Sequence, residues 1–260
     1  MMLLDKKRIL ITGVLTKQSI AFQIARRVQE EGAEVILTGG PGKSSRLTEK
    51  VAQKMDPVPL VIPMDVIWEE QIESVRDEIV KRWGEFDGLL HSIAYAPAGC
   101  LGGSFVETSW DDISKAFQVS SYSLTSLGRV FAPYMKGGSI VAMDFDASVV
   151  WAHYNWMGVC KAGLESISRY MAYELGRKHG IRVNCISSGP LKTIAARGIP
   201  EFRSFEKIWA ERAILEWSVS KDALEVANLA VFLFSDLSKK ITGEKIHVDG
   251  GFHIMGSPVE

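Results

Sequence analysis

Residues 8–39, RILITGVLTKQSIAFQIARRVQEEGAEVILTG, decide the fold. The β-branched run Arg8–Gly13 ends on glycine and predicts a strand. Ser19–Glu31 then carries Ile20, Ile24 and Val28 at helical spacing, which leaves one apolar stripe. Glu34–Gly39 is a second short apolar run. Strand, helix and strand in that order form a βαβ unit, whose strands lie parallel. Working outward, the same alternation predicts strands at Leu60–Val66, Gly88–Ala94, Ser139–Phe145, Arg182–Ser187 and Lys245–Asp249. Pro63 lacks the N–H a central strand needs, so the third strand belongs near a sheet edge. The expectation is an α/β fold: a doubly wound, seven-stranded parallel sheet with helices on both faces.

Composition narrows the function classes. Thirty basic residues against 31 acidic leave a net charge of −1, which argues against a protein that binds nucleic acid by neutralising phosphates. Mean hydropathy is +0.07, and no apolar run approaches the roughly 18 residues of a membrane span. Met1–Lys7 holds Asp5, Lys6 and Lys7 and does not read as a secretory signal. Cys100, Cys160 and Cys185 are odd in number and widely spaced, which suggests neither a disulfide framework nor a metal pair and fits a reducing cytosol. The five histidines include no H-x-x-x-H pair, and no metal site is expected. With no linker or repeat, residues 1–260 read as one domain. Leu191–Trp217 interrupts the sixth βα unit, where loops at the carboxyl ends of strands build a ligand crevice, and it reads as a short substrate lid.

Several residues invite chemistry, each with a plainer alternative. The turn from Thr12 to Ala21 lies where a dinucleotide pyrophosphate would sit, but it holds only Gly13 of a G-x-G-x-x-G pattern, with Ser19 near a later glycine's place. The plainer alternative is a tight turn leading into a helix capped by Ser19. The end of strand two has no acid for an adenosine ribose before Glu49. Lys43 and Arg46 there suit either a 2′-phosphate or solvent. Asp65 suits either an adenine amino group or a helix N-cap. Tyr154 and Lys161 are seven steps apart, which on a helix is about 700° of rotation and a rise of roughly 10.5 Å, so both face one way. An ammonium near a phenol stabilises phenolate character and also binds sugar hydroxyls. The alternative is a core tyrosine and a surface lysine. His153 turns about 100° away from Tyr154 on such a helix and is set aside.

Taken together, these segments resemble the enoyl-acyl-carrier-protein reductases, a divergent branch of the short-chain dehydrogenase/reductase superfamily. The resemblance runs from Leu4 to about Met255. Its landmarks are Gly13-x5-Ser19-Ile20-Ala21, Met64-Asp65-Val66, His91-Ser92-Ile93-Ala94, Tyr154-x6-Lys161, Gly189-Pro190-Leu191-Lys192-Thr193 and His247-Val248-Asp249-Gly250-Gly251-Phe252. Ordinary members of the superfamily use Tyr-x3-Lys, and no tyrosine here has lysine at that shorter spacing.

The resemblance implies a Rossmann-type domain that reduces an enoyl thioester on acyl carrier protein, with NAD(H) as cofactor and NADP(H) left open. It also implies a cytoplasmic homotetramer of fatty-acid synthesis. By the same resemblance Gly13, Ser19 and Ile20 border the pyrophosphate, Asp65 and Val66 flank the adenine, and Ser92, Ile93 and Ala94 line the cofactor. Lys161 holds the nicotinamide ribose, the Leu191 backbone fixes the carboxamide, Thr193 meets the pyrophosphate, and Tyr154 binds the thioester oxygen. Phe145 occupies a catalytic-site position where many members carry a second tyrosine. There, and in Met143–Asp146, the chain resembles the branch acting on long-chain mycolate precursors, yet its lid is short as in general bacterial members. A related carbonyl reductase and a non-catalytic nucleotide sensor are the competing readings.

Overall fold

The computed structural model describes residues 2–135 and 137–258. Among these, seven strands form one parallel sheet in the order β3-β2-β1-β4-β5-β6-β7. They are β1 (Arg8–Ile11), β2 (Glu34–Gly39), β3 (Leu60–Pro63), β4 (Gly88–His91), β5 (Ser139–Asp144), β6 (Arg182–Ser188) and β7 (Lys245–Val248). All seven expected strands are present, and β3, which carries Pro63, is an edge. The chain winds outward from β1 to β3, returns to place β4 on the other side of β1, and winds outward again. Strand order reverses between β1 and β4, which is where open α/β sheets hold their ligands.

The helices are α1 (Ile20–Glu30), α2 (Lys43–Ala52), α3 (Glu69–Trp83), α4 (Trp110–Phe117), α5 (Ser123–Phe131), α6 (Asn155–His179), α7 (Phe202–Arg212) and α8 (Ala223–Phe234). Side chains alternate across each strand, so Ile9, Ile11, Val35 and Leu37 join α1 and α8 in one core, while Leu10, Ile36 and Leu89 join α3, α5 and α6 in the other. Each fully buried Leu or Ile contributes roughly 1.5–3 kcal/mol against its exposed state.

Some strands end sooner than their apolar runs. Beyond β1, the Thr12 amide and hydroxyl both donate to Leu90 O, and Thr12 Oγ1 accepts from the Ser92 amide at 3.2 Å. That side-chain clasp replaces the ladder, and residues 12–13 and 92–94 become crevice loops. Between α4 and α5 lies a π-helical turn at Gln118–Tyr122. It sets Ser120 against both backbone groups of Tyr95 and lets Ser121 donate to Cys160 O at 2.6 Å, tying the loop after β4 to α6. The predicted lid contains a 3₁₀ turn, Ala195–Gly198, followed by α7.

Candidate active site

A cavity of about 700 Å³ runs across the carboxyl ends of the strands, from β3 to β6. Every site residue expected from sequence lines it. Gly13, Ser19 and Ile20 come from the β1–α1 turn, Asp65 and Val66 follow β3, and Ser92, Ile93 and Ala94 follow β4. Phe145, Tyr154 and Lys161 come from β5 and α6, and Leu191 and Thr193 open the lid segment.

Gly13 has φ +79°, and a Cβ placed there would lie 1.9 Å from Ser92 O. Only glycine lets the two loops approach this closely. Ser19 stands at the N-cap of α1 but does not cap it with its side chain. Its hydroxyl turns back to accept from the Leu15 and Thr16 amides at 3.1 and 3.0 Å. The helix-cap alternative for Ser19 therefore fails in detail: the hydroxyl braces the turn, and it is the Ser19 carbonyl that accepts from the Phe22 amide of α1. Asp65 is not a helix cap either. Its carboxylate accepts from the Ile67 amide at 3.1 Å, and α3 begins four residues later behind Trp68. On the same side of the cavity Gly40, Pro41 and Ser44 form the wall, whereas Lys43 and Arg46 are exposed and lie outside it.

Tyr154 sits one residue ahead of α6, between His153 at φ +64° and Asn155 at φ +36°. The helical-rotation argument therefore holds only from Asn155 onward. Strained backbone of this kind persists where its surroundings over-determine it. Asn155 is held by donating to Gly102 O at 2.6 Å, and Met157 N donates back to Tyr154 O. His153 faces the lid, 3.5 Å from the Glu201 carboxylate. The Tyr154 ring meets Phe145 edge-on, with centroids 5.2 Å apart.

Burial, and behind it the Asp144 carboxylate, raise the Tyr154 phenol above its ordinary range. The Lys161 ammonium, 6% exposed, donates to Met143 O at 2.8 Å. At neutral pH Tyr154 is thus an un-ionised hydrogen-bond donor.

Phe145 also meets Trp151, Phe205 and Trp209 at centroid distances of 5.1–5.9 Å. With Phe252 stacked 3.8 Å from Trp209, these rings form an aromatic wall joining α7 to the end of β5. Reading by sequence missed this wall. It also passed over Asp144, which belongs to the cavity lining although both of its carboxylate oxygens are buried. An acid closing the apolar run Ser139–Asp144 was the available signal.

The donor set suits a dinucleotide. The N-terminus of α1, which no side chain caps, favours a pyrophosphate, as helix N-termini do. Lys161 has two N–H groups beyond the one given to Met143 O, enough for ribose hydroxyls. Among the described residues no group of three His, Cys, Asp or Glu side chains could hold a metal, and no helix is long and apolar enough to cross a membrane.

The chain is similar to known proteins along nearly its whole length. Residues 13–253 match the family model described as enoyl-(acyl carrier protein) reductase. The chain is 40% identical over 257 residues to the enoyl-acyl-carrier-protein reductase (NADH) of Aquifex aeolicus, covering 98% of this chain and 94% of the relative. It is 41% identical to the corresponding enzyme of Neisseria meningitidis serogroup B over 261 residues, covering 99% and 98%. To that of Mycolicibacterium smegmatis it is 39% identical over 265 residues, covering 96% and 97%.

Proposed function

The chain belongs to the enoyl-acyl-carrier-protein reductase family, and from that premise we propose that it reduces the trans-2 double bond of an enoyl thioester on acyl carrier protein, with NADH as reductant. The observation that carries this is a buried, un-ionised Tyr154 sharing one cavity with the Lys161 ammonium. Bound NADH would supply hydride to the β-carbon of the substrate. As that carbon is reduced, negative charge grows on the thioester oxygen. The Tyr154 hydroxyl donates to that oxygen, and its bond strengthens as the charge develops, which lowers the barrier rather than merely binding substrate.

The other roles are those implied by the family resemblance, and their residues all line the one cavity, which supports them. Lys161 holds the nicotinamide ribose, Leu191 offers backbone to the carboxamide, and Gly13, Ser19, Ile20 and Thr193 border the pyrophosphate. Asp65 and Val66 take the adenine, and Ser92, Ile93 and Ala94 form the floor. Phe145 backs Tyr154. Lys43 and Arg46 face solvent, which favours NADH over NADPH. Residues 191–217 close over the substrate as a lid on a one-domain scaffold.

Exposed Trp110, Tyr122, Tyr170 and Tyr173 on the α4–α6 side favour a homotetramer, because monomers seldom leave such a set of large rings in water. Arg203 stands exposed on α7 for an acidic carrier protein, whereas Lys192 and Lys207 are matched by Glu206 and Glu211. Three free, buried cysteines fit work in the cytoplasm.

The test follows NADH absorbance with a crotonyl or octenoyl thioester and then with a ketoacyl thioester. Oxidation with the enoyl substrates alone supports the reading, and turnover of the ketoacyl thioester alone refutes it. Tyr154→Phe should cut kcat by about 10²–10³ with little change in NADH affinity. Unchanged enoyl reduction in that variant removes Tyr154 from the mechanism.

A further inference from the structure

Among the described residues, four that are not glycine have φ in the left-handed region, Lys6, His153, Asn155 and Glu201, and three of these meet at one junction. His153 and Asn155 flank Tyr154, and Glu201 stands at the head of α7 in the lid. Strain of this kind persists only where the surroundings over-determine it. Around Tyr154 they do. The Gly102 amide donates to His153 O at 3.0 Å, and Gly102 O accepts from Asn155 Nδ2 at 2.6 Å. One buried glycine therefore fixes both flanks of the tyrosine.

The lid meets this corner through three consecutive residues, between its 3₁₀ turn and α7. Ile199 packs against the apolar cluster that contains Tyr154, Met157 and Cys160. Pro200 lies over Gly102: a Cβ built on that glycine, at φ +71°, would stand 3.0 Å from Pro200 Cγ. Glu201 brings its carboxylate to 3.5 Å from His153 Nε2. The three contacts reach the surroundings of the Tyr154 ring, the glycine that fixes its flanks, and one flank itself. The other end of α7 is anchored elsewhere, by Trp209 Nε1 donating to Asp249 O at 3.1 Å and by Arg212 donating to Met255 O. Residues 199–201 are thus the end of the lid that answers to Tyr154.

We infer that Glu201 and His153 are a positioning pair, which acts through Tyr154 by tying the lid to the corner that aims its hydroxyl. This rests on the reading of Tyr154 as the donor to the thioester oxygen. A hydrogen bond that strengthens in the transition state depends steeply on where its donor stands. A corner held on strained backbone gains other conformations once one of its ties is cut. The side chains of the pair are 36% and 72% exposed, so the effect is that of a surface contact, severalfold rather than orders of magnitude. Gly13, Ser19 and Asp65, at the nucleotide end of the cavity, come from other loops, so NADH binding should not depend on the pair.

The experiment follows NADH oxidation in a single turnover with saturating octenoyl thioester, so that product release does not mask the chemical step, and measures NADH affinity by fluorescence. Glu201→Ala removes the carboxylate. His153→Asn removes the ring and keeps a residue that tolerates positive φ. Each should lower the single-turnover rate about three- to fivefold and leave the NADH dissociation constant within about twofold of wild type. The double variant should be no slower than the slower single, since both remove one contact. In a Tyr154→Phe background Glu201→Ala should cost nothing further, because no hydroxyl is left to aim.

Unchanged rates in the single variants overturn the proposal, as do losses that multiply in the double variant or an equal loss of NADH affinity. A loss confined to the half-saturating thioester concentration overturns it too, because the lid would then hold substrate without placing Tyr154. A full further loss in the Tyr154→Phe background is what a merely structural role would give, and it refutes the pair's action through Tyr154. Should His153→Asn not fold, Glu201→Ala and the Tyr154→Phe background decide alone. A Tyr154→Phe protein with the wild-type rate defeats the reading of Tyr154 and this inference with it. A slow Tyr154→Phe protein in which Glu201→Ala still costs its full factor defeats this inference alone.

Discussion

Gly13→Ala tests whether the cavity depends on the close approach of two loops. The added Cβ would lie 1.9 Å from Ser92 O and 2.7 Å from Ser92 C, where real Cβ contacts stay beyond 3.0 Å. Both atoms are backbone, so no side chain can swing aside, and one loop must retreat by about an ångström. The φ of +79° adds a second cost, about 1–2 kcal/mol for an L-residue in the left-handed region. At roughly 2–4 °C per kcal/mol for a chain of this size, strain alone lowers Tm by about 2–8 °C.

The functional cost should be larger, because Ser92 leads directly into Ile93 and Ala94 at the cavity floor. Misplacing a site by about 1 Å can cost on the order of 10²-fold. The expected result is an NADH dissociation constant raised at least tenfold, about 1.4 kcal/mol, by fluorescence titration, with a lowered Tm by calorimetry. Gly176→Ala, inside α6 with its nearest outside atom at an ordinary 3.5 Å, is the control and should leave Tm unchanged or slightly raised. A Gly13→Ala protein with wild-type Tm and NADH affinity would refute the argument from steric necessity.

Three further outcomes follow from the site. Lys161→Ala removes a charge-assisted donor worth about 1.5–3 kcal/mol, so NADH should bind at least tenfold more weakly, and an unchanged dissociation constant contradicts the ribose assignment. The ratio of kcat/KM for NADH over NADPH should exceed one and survive Lys43→Ala and Arg46→Ala, since both side chains face solvent; a tenfold preference for NADPH abolished by those variants reverses the cofactor assignment. His91 is buried, with its Nε2 2.8 Å from Ser123 Oγ, and burial, with help from the Lys161 ammonium, pushes it down to about 3. The unfolded chain takes up that proton near pH 6.5. The stability it contributes is therefore complete above pH 6.5 and is lost at about 1.4 kcal/mol per pH unit as pH falls toward 3. In a pH series of thermal melts between 7 and 5, His91→Gln should lose Tm less steeply than wild type, and equal slopes would remove His91 as a source of acid lability.

The strands were legible because period-two burial writes itself into short apolar runs: Ile9, Leu10 and Ile11 each need a hydrophobic side chain whichever face they meet. Their ends were not, because β1 and β4 stop where Thr12 Oγ1 takes over the hydrogen bonding of Leu90 and Ser92, a contact spanning about eighty residues of chain. The same limit explains Ser19 and Asp65. Both carry side chains that cap helices well, and both spend them on nearby loop amides instead. Asp144 was visible as a residue, but its burial was not, because that depends on how α6 and β7 pack against the end of β5.

The position of Tyr154 shows how such a site is made from parts that local rules read separately. Lys161 is fixed by the register of α6, two turns inside a 25-residue helix. Tyr154 is fixed by something else, a corner whose two flanking residues are both at positive φ. Continuing the helix backward would carry the ring along the regular helical path. The corner, held by Asn155 on Gly102 and by the Phe145 ring, sets it independently. The spacing of donor and ammonium is therefore a property of a strained turn and a helix joined end to end. Substitutions that relax the turn, such as Asn155→Gly, should change kcat while leaving the Lys161-dependent affinity for NADH largely intact. Equal losses in both, measured by steady-state kinetics and NADH titration, would show that turn and helix move as one body and that the corner sets nothing on its own.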